Sequence, residues 1–178
     1  MTEKIIIAGS GGQGIMLLGK IIAQAAMAEG RFVTWLPAYG AEVRGGTAHC
    51  MLIISDQDIG SPYIDKADTL IIMNSLSLEK FKNRIINDGL MVINSSLMRK
   101  IINSKAKIIR LPFTDIAIGL GNTKVANMVA LGSYLANKKI ISKKTILKII
   151  EKIAPPDKKD LIKINVDALE KGIGLKNG

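Results

Sequence analysis

A glycine-rich segment directly after a short apolar run constrains this chain more than any other feature. The run is Ile5-Ile-Ile-Ala8, whose β-branched, uncharged residues are typical of a buried strand in a parallel sheet. The segment after it is Gly9-Ser-Gly-Gly-Gln-Gly14, which matches the pattern G-x-G-x-x-G. Residues 15–29 then carry apolar side chains at helical spacing, and residues 31–36 are typical of a second strand. This strand-loop-helix-strand order predicts the opening of a doubly wound α/β fold.

The rest of the chain extends that pattern. After a glycine-rich loop at residues 37–46, apolar runs predict four more strands, at 47–55, 69–74, 90–94 and 107–111. Turn residues occur at 56–58 and at Asp88-Gly89, and helical patterns occur at 76–86, 114–120, 123–137, 142–153 and 158–171. We therefore predict one domain over residues 1–178. It is a Rossmann-like α/β domain with a mostly parallel sheet flanked by helices, and with a helical layer at the carboxyl-terminal end of the chain.

The composition excludes several kinds of chemistry. The chain has 178 residues, 48% of them hydrophobic, which is enough to bury a core, and it contains one cysteine and one histidine. An internal disulfide and a cluster ligated by four cysteines of this chain are impossible, and a zinc site is nearly so. His49 and Cys50 are adjacent on a predicted strand, so they point to opposite faces and cannot form a dyad. We expect no catalytic residue and no metal ligand here.

The expected location follows from the apolar runs and the first residues. No run approaches the roughly 18–20 residues that span a bilayer. The segment Met1-Thr-Glu-Lys4 lacks the layout of a signal peptide and leads straight into the first strand. We expect a cytoplasmic protein that does not enter a membrane.

The positive charge is concentrated in the later part of the chain. The net charge is +10, but residues 1–60 hold four Lys or Arg against five Asp or Glu. Residues 61–137 hold ten against five, and residues 138–178 hold eleven against five. Such a surface suits nucleic acid, an acidic partner or a phosphate-rich ligand. With aromatic residues at only 4%, a solvated lysine-rich helical surface is the simpler interpretation, and we expect no nucleic-acid partner.

The glycine-rich segment is the strongest candidate for a binding site. Glycine has no Cβ, so its backbone N–H groups can approach a phosphate, and the following helix start adds unpaired donors. The candidate cofactor-binding residues are Gly9, Ser10, Gly11, Gly12, Gln13 and Gly14. A tight turn without a ligand remains the alternative. A dinucleotide site would also need an acidic residue at the end of the second strand, and residues 32–37 contain none.

Two further segments carry candidate residues. Tyr39, Glu42 and Arg44 lie in the glycine-rich loop after the second strand, where they could line a ligand cleft or a subunit interface. An internal Glu42–Arg44 pair that orders the loop is the alternative. Lys124 and Asn127 lie three residues apart at a predicted helix start, so they share one side and form a weaker candidate for binding an anion. The alternative there is a capped helix with a solvated lysine.

Together these motifs resemble the gamma subunits of 2-oxoacid:ferredoxin oxidoreductases. The resemblance runs from about residue 4 to 135, and it rests on segments that occur in a fixed order. They are Gly9–Gly14, Tyr39-Gly-Ala-Glu-Val-Arg-Gly-Gly46, Ile54-Ser-Asp56, Ile59-Gly-Ser-Pro62, Asp68 and Asn127-Met-Val-Ala-Leu-Gly132. The stretch Glu42-Val-Arg-Gly-Gly-Thr-Ala-His-Cys50 is most similar to the 2-oxoglutarate branch.

The resemblance implies a role inside a larger enzyme. That enzyme oxidatively decarboxylates a 2-oxoacid with coenzyme A, giving acyl-CoA, CO2 and reduced ferredoxin. It implies alpha, beta and delta partner subunits, with thiamine diphosphate and iron–sulfur clusters on those partners only. It also implies that Gly9–Gly14 contacts the diphosphate of coenzyme A, with Lys124 and Asn127 as weaker contacts. Such a chain would be inactive alone and could form a homodimer when isolated.

Two other functions remain open. A free-standing nucleotide-binding oxidoreductase of the Rossmann class would use the same glycine loop, although residues 32–37 offer no acidic partner for a ribose. A nucleic-acid-binding module would use the lysine-rich helices after residue 138.

Overall fold

The elements follow the predicted order. A computed structural model describes residues 1–39, 47–98, 103–155 and 159–175. The strands are β1 (Thr2–Ser10), β2 (Phe32–Ala38), β3 (Thr47–Ser55), β4 (Ala67–Ile72), β5 (Ile85–Asn94) and β6 (Lys107–Leu111). The helices are α1 (Ile15–Ala28), α2 (Ser75–Phe81), α3 (Phe113–Gly119), α4 (Ala126–Asn137), α5 (Lys143–Ile153) and α6 (Lys159–Gly174). Single 3₁₀ turns occur at Ser95–Leu97 and Thr123–Val125.

The six strands form one mixed sheet in the order β2-β3-β1-β4-β5-β6. The neighbours β1–β4, β4–β5 and β5–β6 are parallel, whereas β3 is antiparallel to both β1 and β2. Five strands therefore share one direction and β3 alone is reversed. The prediction of a mostly parallel, doubly wound α/β fold is confirmed.

Helices cover the two faces of the sheet unequally. Apolar residues alternate along the strands, so that Ile5, Ile7 and Leu52 face a large core together with α1 and α3–α6. Ile6, Met51 and Leu70 face the opposite, smaller core, which α2 closes with Leu78 and Phe81. Adjacent residues of β3 illustrate this alternation, since the His49 ring contacts Phe81 at a tilt of 52° while Cys50 packs into the large core. The expectation that His49 and Cys50 cannot converge is thus confirmed.

The carboxyl-terminal helical layer is held by an unusually close helix crossing. A Cβ atom on Gly132 of α4 would collide with the backbone of α6 at Leu169 O, and one on Gly172 would collide with Val129 O. The two backbones touch because glycine stands at both crossing points. Gly132, part of a motif that carried the family resemblance, thus has a packing role.

One local prediction was wrong. Helix α2 ends at Phe81 rather than at residue 86, and Ile85 already belongs to β5, so Asp88-Gly89 lies inside a strand. The register between β4 and β5 shifts here, since Ala67 pairs with Ile85 whereas Thr69 pairs with Leu90. The turn chemistry of Asp88-Gly89 therefore serves an irregular strand instead of a connection between elements.

Candidate functional site

The topology creates a crevice between β1 and β4. The chain leaves β1 through α1 on one face of the sheet and returns at β2, whereas it leaves β4 through α2 on the other face and returns at β5. The order of strands thus reverses direction between β1 and β4. Open α/β sheets bind ligands at the carboxyl ends of the strands that flank such a reversal. The glycine-rich segment lies at this point, because it follows β1 directly.

Gly11 and Gly12 present their backbone to the outside. Both are exposed, and a Cβ atom added to either would meet nothing within 4 Å among the described residues. Gly12 has a φ of 87°, in the left-handed region that favours glycine. The centre of the loop therefore offers bare main chain to a ligand.

The side chains of Ser10 and Gln13 close the loop from within. The Ser10 N–H donates to Gln13 Oε1 over 2.7 Å, and the Gln13 N–H donates to the Ser10 carbonyl over 3.2 Å. Gln13 Nε2 also donates to the carbonyl oxygen of Met73, at the end of β4, over 3.3 Å. Gly9 and Ser10 themselves pair with Ala48 and Thr47, so the loop begins inside the ladder of β1 and β3. These bonds fix the loop across the crevice.

Asn74 is a further residue of the site, which the sequence did not single out. Its Nδ2 donates to Ser10 Oγ and, over 3.5 Å, to Gln13 Oε1. Its Oδ1 accepts a bond from the Ser77 N–H over 2.8 Å and so caps α2. An asparagine at the end of a predicted strand, shortly before a predicted helix, is the signal that could have identified it.

The amino-terminal end of α1 is open on its outer side. Gly14 is the residue before the helix, with a φ of 70°, and no side chain in the described part of the chain caps the first turn. That turn contains no acidic residue. Its unpaired N–H groups and the partial positive charge of the helix start can interact with an anion.

Asn127 lies beneath the loop and is only 2% exposed. Its Nδ2 donates to the Gly14 carbonyl over 3.2 Å, while its Oδ1 has no hydrogen-bond partner among the described residues. A Cβ atom on Gly14 would collide with the amide of Asn127. Lys124, by contrast, is exposed on the 3₁₀ turn before α4, and its backbone N–H donates to Asn122 Oδ1 over 3.0 Å. Of this candidate pair, Asn127 contacts the loop and Lys124 faces solvent.

Lys80 of α2 adds a cation that sequence reasoning missed. Its Nζ donates to Thr47 Oγ1 over 3.2 Å, and Thr47 pairs with Ser10 in the sheet. Burial, followed by the charges of Lys80 and Arg84, lowers the pKa of His49. The lowered pKa disfavours a charge on His49, so the cation beside Thr47 is the ammonium group of Lys80. The Arg84 guanidinium donates instead to the carbonyl oxygens of Ile64 and Asp65, before the amino end of β4.

The remaining candidates lie in the segment of the chain after β2. Tyr39 is 73% exposed and follows the last residue of β2. Glu42 and Arg44 lie outside the described residues.

Neither a metal site nor a membrane span appears in the parts of the chain that the structure describes. Residues 1–39, 47–98, 103–155 and 159–175 contain no group of three His, Cys, Asp or Glu residues placed to hold a metal ion. Within the same ranges, the helices are too short or too polar to cross a bilayer.

Two curated relatives share much of this sequence. The ketoisovalerate oxidoreductase subunit VorA of Methanothermobacter thermautotrophicus is 38% identical over 133 residues, which are 75% of this chain. The chain spans only 28% of the length of that relative. The 2-oxoglutarate synthase subunit KorC of Methanocaldococcus jannaschii is 32% identical over 154 residues, which cover 84% of this chain and 82% of KorC.

Two solved structures share its fold. The gamma subunit of a keto/oxoacid ferredoxin oxidoreductase from Geobacter sulfurreducens superposes with a TM-score of 0.83 at 27% identity, covering 96% of this chain and 95% of that one. A 2-oxoglutarate:ferredoxin oxidoreductase from Magnetococcus marinus, with 2-oxoglutarate, coenzyme A and succinyl-CoA bound, superposes with a TM-score of 0.89 at 23% identity. The match covers 99% of this chain and 32% of that one, and it shows the fold alone.

The family itself is identified by a match over nearly the whole chain. Residues 4–175 match the pyruvate ferredoxin/flavodoxin oxidoreductase family. This match confirms the resemblance to gamma subunits that the sequence motifs indicated. The comparisons do not distinguish the 2-oxoglutarate branch from the ketoisovalerate branch. The chain belongs to the pyruvate ferredoxin/flavodoxin oxidoreductase family, as a gamma-type subunit.

Proposed function

We propose that this chain is the gamma subunit of a 2-oxoacid:ferredoxin oxidoreductase and that its glycine loop binds coenzyme A. The complete enzyme would convert a 2-oxoacid and coenzyme A into acyl-CoA and CO2 while reducing ferredoxin. The chain matches only 28% of the length of VorA, so the rest of the reaction would depend on parts of the enzyme outside these residues. Its single cysteine cannot ligate an iron–sulfur cluster alone, which is consistent with clusters on partner subunits.

The observation that carries this proposal is the open loop at the strand reversal. Gly11 and Gly12 expose their main chain beside the uncapped start of α1, and the bonds of Ser10, Gln13 and Asn74 hold that arrangement in place. Backbone N–H groups at a helix start are suited to a diphosphate. The ammonium group of Lys80, near Thr47 on the other side of the crevice, is suited to a further phosphate.

The same site suits coenzyme A better than a nicotinamide dinucleotide. Strand β2 contains no Asp or Glu from Phe32 to Ala38, so it lacks the acidic partner of a ribose hydroxyl. Coenzyme A offers three phosphates and does not need that partner. The bound coenzyme A of the Magnetococcus marinus enzyme, whose fold includes this one, supports the choice.

In this proposal Asn127 acts through the loop. Because the side chain is buried and donates to the Gly14 carbonyl, it would hold the helix start in its binding geometry without meeting the ligand. Lys124 would extend toward the ligand from the neighbouring exposed turn.

We propose 2-oxoglutarate as the substrate, on the basis of the similarity to KorC over most of both chains. The higher identity to VorA favours a second candidate, the branched-chain 2-oxoacid ketoisovalerate. The assembled enzyme should be assayed with 2-oxoglutarate, ketoisovalerate and pyruvate at saturating coenzyme A. A kcat/KM that is highest for 2-oxoglutarate would support the first choice, and one highest for ketoisovalerate would replace it with the second.

Coenzyme A binding can be tested with two matched glycine substitutions. Gly11→Glu places a carboxylate where the phosphates would bind, and Gly60→Glu places the same group at another exposed glycine with open space around its Cβ. We expect Gly11→Glu to weaken the affinity for coenzyme A, measured by calorimetry, by about tenfold or more. The new carboxylate would repel the phosphates, and the side chain would keep them away from the loop backbone. We expect Gly60→Glu to leave the affinity unchanged.

The measurement should use both the isolated chain and the assembled oxidoreductase. Equal affinities of the wild type and Gly11→Glu for coenzyme A would show that the glycine loop is not part of the binding site. Micromolar binding of NAD(H) by the isolated chain, with no binding of coenzyme A, would instead revive the free-standing oxidoreductase.

A further inference from the structure

The outer edge of the sheet at β2 is apolar and uncharged. The strand reads Phe32-Val-Thr-Trp-Leu-Pro-Ala38 and is terminal in the sheet, where β3 is its only partner among the described residues. Phe32 is 48% exposed, Trp35 and Leu36 are 37% exposed, and Tyr39 follows at 73%. Three of the seven aromatic residues of the chain therefore lie exposed within eight positions. By contrast, Phe81, Phe113 and Tyr134 are fully buried.

The opposite edge of the same sheet shows what a protected edge looks like in this protein. Strand β6 has only five residues, and two of them, Lys107 and Arg110, are cationic. Short length and charged side chains are the devices that keep exposed strand edges from pairing with other chains. Strand β2 has seven residues and neither device, apart from Pro37 near its end. An uncharged aromatic edge of this length is typical of a covered interface.

The position of the edge relates it to the crevice. Strands β1 and β2 run in the same direction, because each is antiparallel to β3 between them. The carboxyl end of β2, at Ala38 and Tyr39, therefore lies at the same edge of the sheet as the glycine loop after β1. A protein bound along β2 would reach the mouth of the crevice.

The long relatives indicate what kind of partner this is. In VorA the matched residues occupy 28% of one polypeptide, so there this fold has a neighbouring domain attached by the chain. We therefore expect the equivalent of that neighbouring part to contact this fold through a surface.

We infer that β2 and Tyr39 form the docking edge for a larger subunit of the same oxidoreductase, the one equivalent to the part of VorA that this chain does not match. The subunit adds an extended segment alongside β2 and receives Phe32 and Leu36 in an apolar surface. Both side chains lie on one face of the strand, since they are four residues apart. The inference rests on the proposed function, because that function supplies the assembly.

The test is co-purification of the assembled enzyme through a tag on this chain. The edge variant is Phe32→Glu with Leu36→Glu, and the control is Met27→Glu with Ile118→Glu, at apolar residues of similar exposure on α1 and α3. We expect recovery of the larger subunit to fall by about tenfold or more in the edge variant, because two charges are buried at the contact. We expect the control to recover it as the wild type does.

Hydrogen exchange of the wild type gives a second readout that needs no variant. We expect the amides of residues 32–38 to exchange at least about tenfold more slowly in the complex than in the isolated chain, and those of residues 107–111 to be unchanged. If thermal melting shows that the edge variant does not fold, the docking edge is tested by hydrogen exchange of the wild type alone.

Two outcomes would overturn the inference. One is full recovery of the larger subunit by a folded edge variant, with no added protection of residues 32–38. The other is a homodimer of the isolated chain, seen by light scattering, that protects these residues and persists in the complex, because a second copy would then be the occupant. Coenzyme A affinity of the edge variant is measured separately, so that failure of the proposed function is distinguishable from failure of the docking edge.

Discussion

The two ends of β1 differ in charge and in exposure. At the amino end, Glu3 is 3% exposed and pairs with Lys138 over 3.2 Å, while its other oxygen accepts a bond from the Thr69 hydroxyl over 2.6 Å. At the carboxyl end, residues 9–16 contain no charged side chain, and Gly11 and Gly12 leave their main chain exposed. One strand thus ends in a closed ion pair on one side and in an open binding loop on the other.

The amino end of β1 therefore contributes to stability, whereas its carboxyl end contributes to the proposed binding site. Lys138 directly follows α4, so its bond to Glu3 fastens the end of that helix to the amino end of the sheet. The start of α4 is fastened at the other end by Asn127, which bonds to Gly14. Helix α4 therefore connects the two ends of β1, and substitutions along it should show where the two properties separate.

The largest expected effect is at the closed end. Lys138→Met keeps the aliphatic part of the side chain but leaves the buried Glu3 carboxylate with Thr69 as its remaining polar partner among the described residues. We expect a loss of about 3 kcal/mol in the free energy of unfolding, because an unpaired buried charge is costly. Coenzyme A affinity should be unchanged, since the glycine loop lies at the opposite end. Urea unfolding at pH 7 and calorimetry measure the two quantities.

Two further variants sharpen this prediction. Lys139→Met changes the exposed neighbouring lysine and should alter stability by less than about 0.5 kcal/mol. Adding Glu3→Gln to Lys138→Met should recover part of the loss, because the uncompensated charge disappears. A Lys138→Met protein as stable as the wild type would show that the ion pair does not hold α4 to the sheet.

The second effect is at the open end and compares the two ends of α1. Gly14 and Gly30 both have positive φ, 70° and 76°, but only Gly14 would bring a new Cβ into collision, with Asn127. We expect Gly30→Ala to cost about 1 kcal/mol of stability through backbone strain alone. Gly14→Ala should cost about 2 kcal/mol and also weaken coenzyme A binding, because the helix start must shift. Urea unfolding and calorimetry on both variants test the pair.

The collision itself can be isolated with a double variant. Asn127→Ala removes the amide that the new methyl group would meet, so Gly14→Ala should cost less in that background than in the wild type. Equal costs in the two backgrounds would mean that Asn127 does not constrain the loop.

The sequence predicted the open end better than the closed end. The glycine motif after an apolar strand marks its own place in the fold, because a strand, a tight loop and a helix are adjacent along the chain. Glu3 and Lys138 are 135 residues apart, and nothing local indicates that they meet. The reversal of β3 was equally hidden, because a strand buried on both faces shows the same apolar run whether it is parallel or antiparallel.

Within the site, the sequence identified residue positions better than their roles. Asn127 and Lys124 were expected to share one side of a helix start, but Lys124 lies on the exposed 3₁₀ turn at Thr123–Val125, whereas Asn127 lies in α4 and is buried under the loop. Lys80 and Asn74 come from elements after β4, and only the packing of α2 brings them to the loop. Binding by the predicted residues remains to be tested, and Glu42 and Arg44 lie outside the described structure.

The smallest effect lies midway between the two ends, where Cys50 of β3 pairs with Ile7 of β1. Burial raises the pKa of the Cys50 thiol from 9.0 to about 11. Below about pH 8 the thiol is protonated in both the folded and the unfolded chain, so stability does not depend on it. As the pH rises toward 11, the unfolded chain loses the proton first, so the folded state should lose about 1 kcal/mol by pH 10. Urea unfolding of the wild type and Cys50→Ala at pH 8 and pH 10 isolates this contribution, because all other titrating groups are common to both proteins. We expect the wild type to lose more stability over this interval than the variant, and equal losses would mean that the middle of β1 is as open to water as its carboxyl end.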